Sequence, residues 1–299
     1  MYNERVKERY LSLDAIDANE YHVPILFKKT EPYEERLGKD LCNFTSAEIE
    51  NFYKTEDYTS LNSMTVDNSA FVKYTNWCMS EFLVVDSQNH FLEFPKARLA
   101  TYLNLNKIDK SILSKEQLDQ WVKELQNPSD AFVVAAIFYG ITGPNFSELW
   151  SLTDEDIDLK ASKIRIKGKG WLEYPKSLCF LAIRSAEEKE YTQTTVRGER
   201  VVKLVDSNAV IKEMPNVKED VDDFRKGRRI YHKLLRVLKY YDVADIMTAR
   251  TISESGILYQ MQLTGNLDFS NKEESEKLDL YYGEINRPTF LQKYGELLG

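Results

Sequence analysis

The spacing of apolar residues predicts a helical first third of the chain. After a charged start, apolar residues recur at helical intervals along one stripe: Tyr33, Leu37, Leu41 and Phe44. A further helix is expected after Thr45, a good N-cap residue that is followed three positions later by Glu48. We therefore predict an N-terminal arm over residues 1–29, packed on a neighbouring element, and a small helical domain over residues 30–84.

The rest of the chain mixes helical and strand-like patterns, which predicts a second domain of mixed structure. Residues 85–112 follow no single period and are interpreted as a linker, so the second domain is expected over residues 113–299. It opens with a helix capped by Ser114 and continues with an almost wholly apolar, and therefore buried, helix over residues 130–139. Alternating residues predict strands near 162–167, 171–175 and 200–205 and a hairpin around Arg197 and Gly198. The expected fold class is mainly α-helical with a small antiparallel β-sheet.

A glycine turn follows the buried helix and is a natural place for a reactive side chain. The chain there reads Thr142-Gly143-Pro144-Asn145-Phe146-Ser147-Glu148-Leu149. Asn145 holds the position that could carry a reactive group. Because Asn145 is followed three residues later by Glu148, a purely structural role as the N-cap of a short helix is the competing interpretation.

Composition excludes several classes of protein. The chain has 299 residues, of which 42% are hydrophobic, enough for one large or two ordinary folded domains. It contains no apolar run of 18 residues, so no membrane span and no membrane partner are expected. The first residues lack the apolar segment of a secretion signal, and a cytoplasmic protein is expected.

The cysteines and histidines are too scattered for a metal site. Cys42, Cys78 and Cys179 each stand alone in an apolar setting and are predicted to be reduced core residues. The histidines are likewise isolated from one another and from the cysteines. We therefore predict no metal and no cofactor.

Charge is unevenly distributed along an acidic chain. The net charge is −8, which by itself argues against a nucleic-acid partner, yet residues 160–176 hold six Lys and Arg against one Glu, and residues 224–250 hold eight against two Asp. The second window contains an amphipathic helix with two faces. The apolar face holds Ile230, Leu234, Val237, Leu238 and Tyr241, and the other face holds Arg229, His232, Lys233, Arg236 and Tyr240. A solvated surface helix is the alternative, but residues 224–241 contain no acid, which favours contact with phosphates.

The order of these motifs resembles the tyrosine recombinase (phage integrase) family over most of residues 30–299. The turn resembles the family's first arginine motif with Asn145 in the arginine position. Lys167-Gly168-Lys169-Gly170 is similar to the family's Gly-Lys-Gly hairpin, and Met247-Thr248-Ala249-Arg250 stands where the family has His-x-x-Arg. Glu284 in Tyr282-Gly283-Glu284 falls at the second histidine, and Tyr294 at the nucleophilic tyrosine.

This resemblance implies a two-domain fold with a degraded active site. It implies a SAM-like core-binding domain over residues 30–84, a catalytic-type domain over residues 113–299 and an insertion at residues 268–278. In the family, two arginines, a lysine and histidines neutralise the scissile phosphate while a tyrosine attacks it. Here Asn145, Met247 and Glu284 depart from that set, and Lys169, Arg250 and Tyr294 are retained. Since losing one such group often costs about 10²–10³ in rate, no catalytic residues are expected.

Within the family, the chain is most similar to integrase-like repressors of temperate phages. The resemblance implies a sequence-specific repressor that binds double-stranded operator DNA in the bacterial nucleoid, clamps it between two domains and keeps a prophage silent. The predicted DNA contacts are Lys163, Arg165, Lys167, Lys169, Arg228, Arg229, Lys233, Arg236 and Arg250. A protein or peptide that relieves repression, and self-association, are left open as further partners.

Two alternatives remain at this point. The first is a divergent but active recombinase that uses Lys169, Arg250 and Tyr294. The second is an interaction protein without a DNA role, whose basic faces dock on an acidic partner or a second copy.

Overall fold

Two units, each with its own buried core, divide the chain. The computed structural model describes residues 1–13, 22–195, 198–215 and 222–298. The first unit comprises Met1–Ile108 and the second Asp109–Gly299. The predicted fold class, mainly α-helical with a small antiparallel sheet, is confirmed.

Helices of very different length build the first unit around an aromatic core. Its helices are α1 (Glu4–Leu11), α2 (His22–Leu37), α3 (Ser46–Thr55), α4 (Leu61–Ser80), α5 (Lys96–Ala100) and the start of α6 (Leu105–Lys110). The expected cap of α3 is confirmed, because the Thr45 side chain accepts from the Glu48 N–H and the Glu48 carboxylate accepts from the Thr45 N–H. This reciprocal pair satisfies two amide groups at the helix start and sets its first residue.

The described part of the predicted arm and residues 85–108 of the predicted linker belong to the first unit. Val23, Leu26 and Phe27 lie in α2 and are buried in the core of this unit, so the described part of residues 1–29 is no separate arm. Residues 14–21 lie outside the described residues. Phe91 and Phe94 of the predicted linker are buried in the same core. The linker residues in this core lie in a 3-10 turn and in very short helices. Elements of this length are too short to show a recognisable apolar period in the sequence.

The second unit is longer and contains both sheets. Its elements are α7 (Lys115–Glu124), α8 (Pro128–Phe138), α9 (Ser147–Trp150), β1 (Ile157–Asp158), β2 (Lys163–Ile166), β3 (Gly170–Glu173), α10 (Lys176–Ala186), β4 (Glu190–Thr195), β5 (Gly198–Lys203), α11 (Asp223–Tyr240), α12 (Ala249–Thr264), α13 (Lys272–Tyr282) and α14 (Arg287–Leu298). Ser114 caps α7 as predicted, and every residue of α8 from Ser129 to Phe138 is buried. The core of this unit is therefore organised around α8.

The two small sheets are antiparallel. β1, β2 and β3 form one sheet in that order, and β4 pairs with β5 in the other. Alternation along β2 turns Ile164 and Ile166 into the core and leaves Arg165 exposed. Arg197, at the centre of the hairpin predicted from the sequence, lies outside the described residues.

Close backbone contact positions α12 and α13 against α8. A Cβ atom at Gly256 of α12 would lie 1.7 Å from the Phe138 carbonyl oxygen, so the glycine allows the two helices to touch. The Tyr282 hydroxyl of α13 donates to that same carbonyl at 2.9 Å. The predicted insertion, residues 268–278, contains the Asn271 cap and α13 as far as Leu278.

The cysteines and the helix lengths agree with the interior expected from the sequence. Cys42, Cys78 and Cys179 are free thiols and all three are buried, which confirms their assignment to the core. Within the described ranges, no helix combines the length and the apolar character needed to cross a membrane.

Candidate nucleic-acid interface

The turn after α8 adopts a backbone conformation that few residues accept. Gly143 has a φ of 67°, and Asn145 and Phe146 follow with φ of 51° and 57°. Asparagine tolerates this left-handed region better than most residues. An N-cap needs an extended residue directly before the helix, so the N-cap role expected for Asn145 is wrong. The turn is closed by Glu148, whose carboxylate accepts from the Thr142 N–H at 3.0 Å.

Gly227 places α11 directly on this turn. A Cβ atom at Gly227 would lie 2.2 Å from the Asn145 carbonyl oxygen and 3.0 Å from the Asn145 Cβ. Only a residue without a side chain lets the helix backbone come this close. The basic helix is thereby set at the position that the resemblance assigns to the first catalytic arginine.

The substitution Gly227→Ala should destabilise the second unit. The added methyl group overlaps backbone atoms, which costs about 3 kcal/mol, the upper end of the usual range for overpacking. The better helix propensity of alanine offsets about 1 kcal/mol of this cost. We therefore expect urea unfolding to show a loss of about 2 kcal/mol in the free energy of unfolding. Gly295→Ala is the matched control, because its Cβ enters open space on a helix. Equal stability of both variants would contradict the close packing of α11 on the turn.

Lys169 is drawn inward instead of projecting from the hairpin tip. Its Nζ forms an ion pair with Glu148 Oε1 at 2.9 Å and donates to the Tyr281 carbonyl oxygen at 3.0 Å. Lys169, a predicted DNA contact, is therefore paired within the second unit. The side chain instead links the β2–β3 hairpin to the turn and to α13.

A buried carboxylate, Glu254, gathers the groups at two of the retained catalytic positions. Its Oε1 accepts from Arg250 Nε at 2.9 Å, and its Oε2 accepts from Lys293 Nζ at 2.7 Å and from the Tyr294 hydroxyl at 2.6 Å. Burial of Glu254, which is 9% exposed, raises its pKa, but Lys293, Tyr294 and Arg250 together outweigh burial and lower the pKa below its ordinary value. Glu254 is therefore a carboxylate, and it binds the groups that a phosphate would need.

Tyr294 is held as a buried phenol. It is 1% exposed, and its ring packs against Phe290 with centroids 4.9 Å apart. Burial and the neighbouring Glu254 raise the pKa of Tyr294 far above its usual range. Because the pKa of Glu254 is lowered while that of Tyr294 is raised, the shared proton stays on the tyrosine.

The two remaining departures from the family pattern differ in their surroundings. Met247 is buried in the core of the second unit, directly before the residue that caps α12. Glu284 is exposed in the connection between α13 and α14. The first position serves packing, and the second presents a negative charge to solvent.

The solvent-facing side of α11 carries an almost continuous line of positive charge. We call this line the α11 stripe; its members are Arg225, Arg228, His232, Arg236 and Lys239, all exposed. At 100° per residue these five positions fall on one narrow face of the helix. The aromatic side chains of Phe224, Tyr231 and Tyr240 are exposed beside it. Positive charge interleaved with aromatic rings is the arrangement expected of a nucleic-acid contact.

The face predicted for α11 was partly wrong. Lys233, a predicted DNA contact, is 7% exposed; its Nζ donates to Ser129 Oγ at 2.8 Å and pairs with Asp130 at 3.3 Å. Burial lowers the pKa of Lys233, although Asp130 opposes this effect. Arg229 forms an ion pair with Glu213. The long aliphatic stem of a lysine allows it to lie along the core side of a helix, so sequence alone does not place it.

The predicted contacts on the β2–β3 hairpin and at Arg250 are on the surface but mostly paired. Lys163 lies 3.5 Å from Glu173, and Arg165 bonds Asp156 at 2.7 Å. Arg250 is 79% exposed despite its bond to Glu254. Exposed pairs of this kind contribute little to stability and are readily exchanged for a phosphate. Lys167 is exposed as well.

Sequence reasoning missed Arg225, Lys239 and Glu254. The signal for Arg225 and Lys239 is the start of α11 after Asp222, whose side chain caps the helix by accepting from the Arg225 N–H. A helix that begins there places both residues on the same face as Arg228, His232 and Arg236. Glu254 follows Arg250 by four residues, a spacing that places two helical side chains together. Its contact with Tyr294, forty positions away, had no signal in the sequence.

The first unit is helical. The second is mainly helical, contains a three-stranded sheet and keeps Lys169, Arg250 and Tyr294 of the catalytic positions. Together the two units define a recombinase-like scaffold with core-binding and catalytic-type domains. Residues 1–80 match the family model "MrpR, N-terminal core-binding domain", and residues 112–283 match "MrpR, C-terminal catalytic domain". The chain belongs to the MrpR family. The resemblance found in the sequence is thereby confirmed.

A relative from a prophage shares most of the chain. The chain is 24% identical over 270 residues to the "SPbeta prophage-derived uncharacterized protein YopR" of Bacillus subtilis (strain 168), and the alignment covers 87% of this chain and 81% of that protein. The match to the catalytic-domain model ends at residue 283, before α14 and Tyr294.

Proposed function

We propose that this protein is a sequence-specific DNA-binding repressor that holds its operator without cutting it. The MrpR-type core-binding and catalytic-type domains support a regulator on a recombinase-like scaffold. The prophage-derived relative supports a phage setting, in which the protein maintains lysogeny by silencing lytic genes in the cytoplasm and nucleoid of the host.

The observation that carries the loss of strand transfer is the Glu254 cluster. A scissile phosphate next to Arg250 would meet the Glu254 carboxylate, which repels it. Tyr294 would have to leave its buried site and transfer its proton to a group with a lowered pKa before it could attack. Asn145 contributes no charge at the first arginine position.

The α11 stripe supports binding to DNA. Its four permanent cations, Arg225, Arg228, Arg236 and Lys239, are all exposed. Of these, Arg225 alone forms an ion pair within the described residues, with Asp222 at 3.9 Å. Phosphate contacts from the stripe would set affinity, its salt dependence and the orientation of the protein, while neighbouring side chains that reach base edges would set sequence preference.

Incubation with a nicked suicide substrate carrying operator DNA should give no covalent adduct. Tyr294→Phe should bind DNA within about twofold of the unchanged protein, since the hydroxyl donates to Glu254 and makes no phosphate contact in this proposal. Denaturing gels measure the adduct, and an active tyrosine recombinase on its own substrate serves as the positive control. An adduct that disappears in Tyr294→Phe would favour the alternative function, a divergent recombinase.

Genome-wide mapping of bound sites in the host tests repression itself. We expect occupied sites to lie upstream of lytic genes that are expressed once the protein is removed. Absence of DNA binding at low salt, in the cell extract and with purified protein, would instead favour an interaction protein without a DNA role.

A further inference from the structure

A cavity of about 470 Å³ lies on the flank of α11, against the segment that follows β5. That segment is firmly attached to the second unit. The Val210 N–H donates to the Leu152 carbonyl at 2.9 Å, and Ser185 Oγ donates to the Val210 carbonyl at 2.6 Å. A further bond of 2.8 Å joins the Val205 N–H to the Glu213 carbonyl. The wall of the cavity is therefore built into the fold.

The cavity is lined mainly by cationic and apolar side chains. Its basic residues are Lys212, Lys226, Arg229, His232, Lys233 and Arg236. Among the described residues of the lining, Glu213 alone is acidic, and it is already paired with Arg229. Lys233 and Lys226 pair with Asp130 and Asp223 outside the lining, so the surplus charge is carried mainly by Lys212 and Arg236. The surplus of positive charge means that the cavity favours an anion over a neutral or cationic molecule.

Within the described part of the chain, one donor at this cavity has no acceptor and one cation has no ion pair. Lys212 is 9% exposed, and no carboxylate there lies within ion-pair distance of it. The indole N–H of Trp150, which also lines the cavity, is buried without a hydrogen-bond partner among the described residues. Burying a charge or a polar donor without a partner is unfavourable, and native proteins usually satisfy such groups. Both groups are donors, so the missing partner is an acceptor.

We propose that this cavity binds an organic anion and regulates DNA binding. The phosphate or carboxylate oxygens accept from Lys212, and the apolar part of the molecule lies against Ile211 and Ile230 in the lining. A volume of about 470 Å³ suits a small molecule of this kind. Lys226, which lies 4.5 Å from the centroid of the Trp150 ring, adds a second positive charge beside the anion.

The regulatory step follows from two residues that serve both surfaces, and it rests on the proposed DNA-binding function. Arg236 and His232 line the cavity and also belong to the α11 stripe. An anion bound beside them reduces the positive potential of the stripe within the screening distance of about 10 Å. The bound anion therefore weakens binding to DNA phosphates and acts as an inducer.

Direct binding is measured by calorimetry on the full chain without DNA. The probe is phenyl phosphate, and benzyl alcohol is its uncharged analogue. We expect phenyl phosphate to bind the unchanged protein at least about tenfold more tightly than Lys212→Gln, a difference that one lost ionic contact readily produces. Lys160→Gln removes an exposed lysine outside the cavity and should bind like the unchanged protein. Equal affinity of the unchanged protein and Lys212→Gln would overturn the site.

A second arm, in the presence of DNA, separates a free anion from a DNA phosphate as the occupant. If the occupant is a free anion, phenyl phosphate weakens DNA binding of the unchanged protein, and Lys212→Gln binds DNA normally but no longer responds. If Lys212→Gln itself loses DNA affinity, the cavity holds a DNA phosphate and the regulatory proposal is wrong. If the protein binds phenyl phosphate but binds no DNA, the cavity is still an anion site and the proposed DNA-binding function is wrong.

Discussion

Reversing two charges of the α11 stripe, Arg225→Glu together with Arg228→Glu, is expected to weaken DNA binding on the order of 100-fold at physiological salt. Both side chains are exposed on one face of α11, so the change removes two phosphate contacts and places two carboxylates against the DNA backbone. The slope of log affinity against log salt should fall by about two units, roughly one for each lost contact. Gel shifts or fluorescence anisotropy at several salt concentrations measure both quantities.

Lys272→Glu with Lys277→Glu is the matched control. These lysines are exposed on α13, and their replacement changes the net charge by the same amount. We expect the control to keep its salt slope and nearly all of its affinity. If both double variants lose affinity equally, the protein responds to net charge and the α11 stripe is not the contact.

Replacing Lys7 by methionine should be the most destabilising single change in the first unit. Lys7 of α1 and Glu34 of α2 are both 0% exposed and form an ion pair at 2.5 Å. Glu34 also accepts from the Leu41 N–H at 2.8 Å, so it cannot leave its position without breaking a backbone contact. Removing one partner of such a pair leaves a buried charge and costs about 3–5 kcal/mol. Urea unfolding of the full chain measures the loss.

Neutralising Glu34 as well should restore much of that stability. Lys7→Met combined with Glu34→Gln leaves no isolated charge and keeps an oxygen for the Leu41 N–H. The double variant is therefore expected to be more stable than Lys7→Met alone. If the double variant instead loses as much stability as the two single substitutions added together, Lys7 and Glu34 do not stabilise each other.

The loss caused by Lys7→Met should also depend on pH. Burial raises the pKa of Glu34 above its ordinary value of 4.5, and Lys7 opposes that rise. Without Lys7, the folded-state pKa rises further. Protonated Glu34 then stabilises the folded state fully below about pH 4.5, and this contribution is lost as pH rises through the raised folded-state pKa. The variant should approach the unchanged protein in acid and differ most at neutral pH.

Features encoded in short stretches were predictable from the sequence. The capping boxes at Thr45 and Ser114, the buried helix α8 and the alternation of the β2–β3 hairpin depend on residues a few positions apart. Local propensity and periodicity carry that information directly. The apolar face of α11 was predicted for the same reason: Ile230, Leu234, Val237 and Leu238 are buried, and Tyr241 is half-buried against the same core.

Features that depend on distant partners were not predictable. Lys233 was assigned to a DNA contact, yet Asp130 and Ser129, about one hundred positions earlier, hold it in the interior. Lys169 was likewise assigned to a DNA contact, yet Glu148 and the Tyr281 carbonyl draw it inward. In each case a charged side chain is wholly or partly withdrawn from water because a specific acceptor compensates its lost hydration. Residues adjacent in the sequence give no indication of such a distant acceptor.

The sequence by itself determined the class of fold, the family resemblance and the replacement of the first arginine by Asn145. It determined these because they rest on residue identity, order and spacing along the chain. Only the tertiary structure decided that Asn145 shapes a left-handed turn under Gly227, that Glu254 binds Arg250, Lys293 and Tyr294, and that the α11 stripe is an exposed cationic face. The physical reason is that the availability of a charge depends on its burial and on its partners in space, and both are set by packing between segments far apart in the chain.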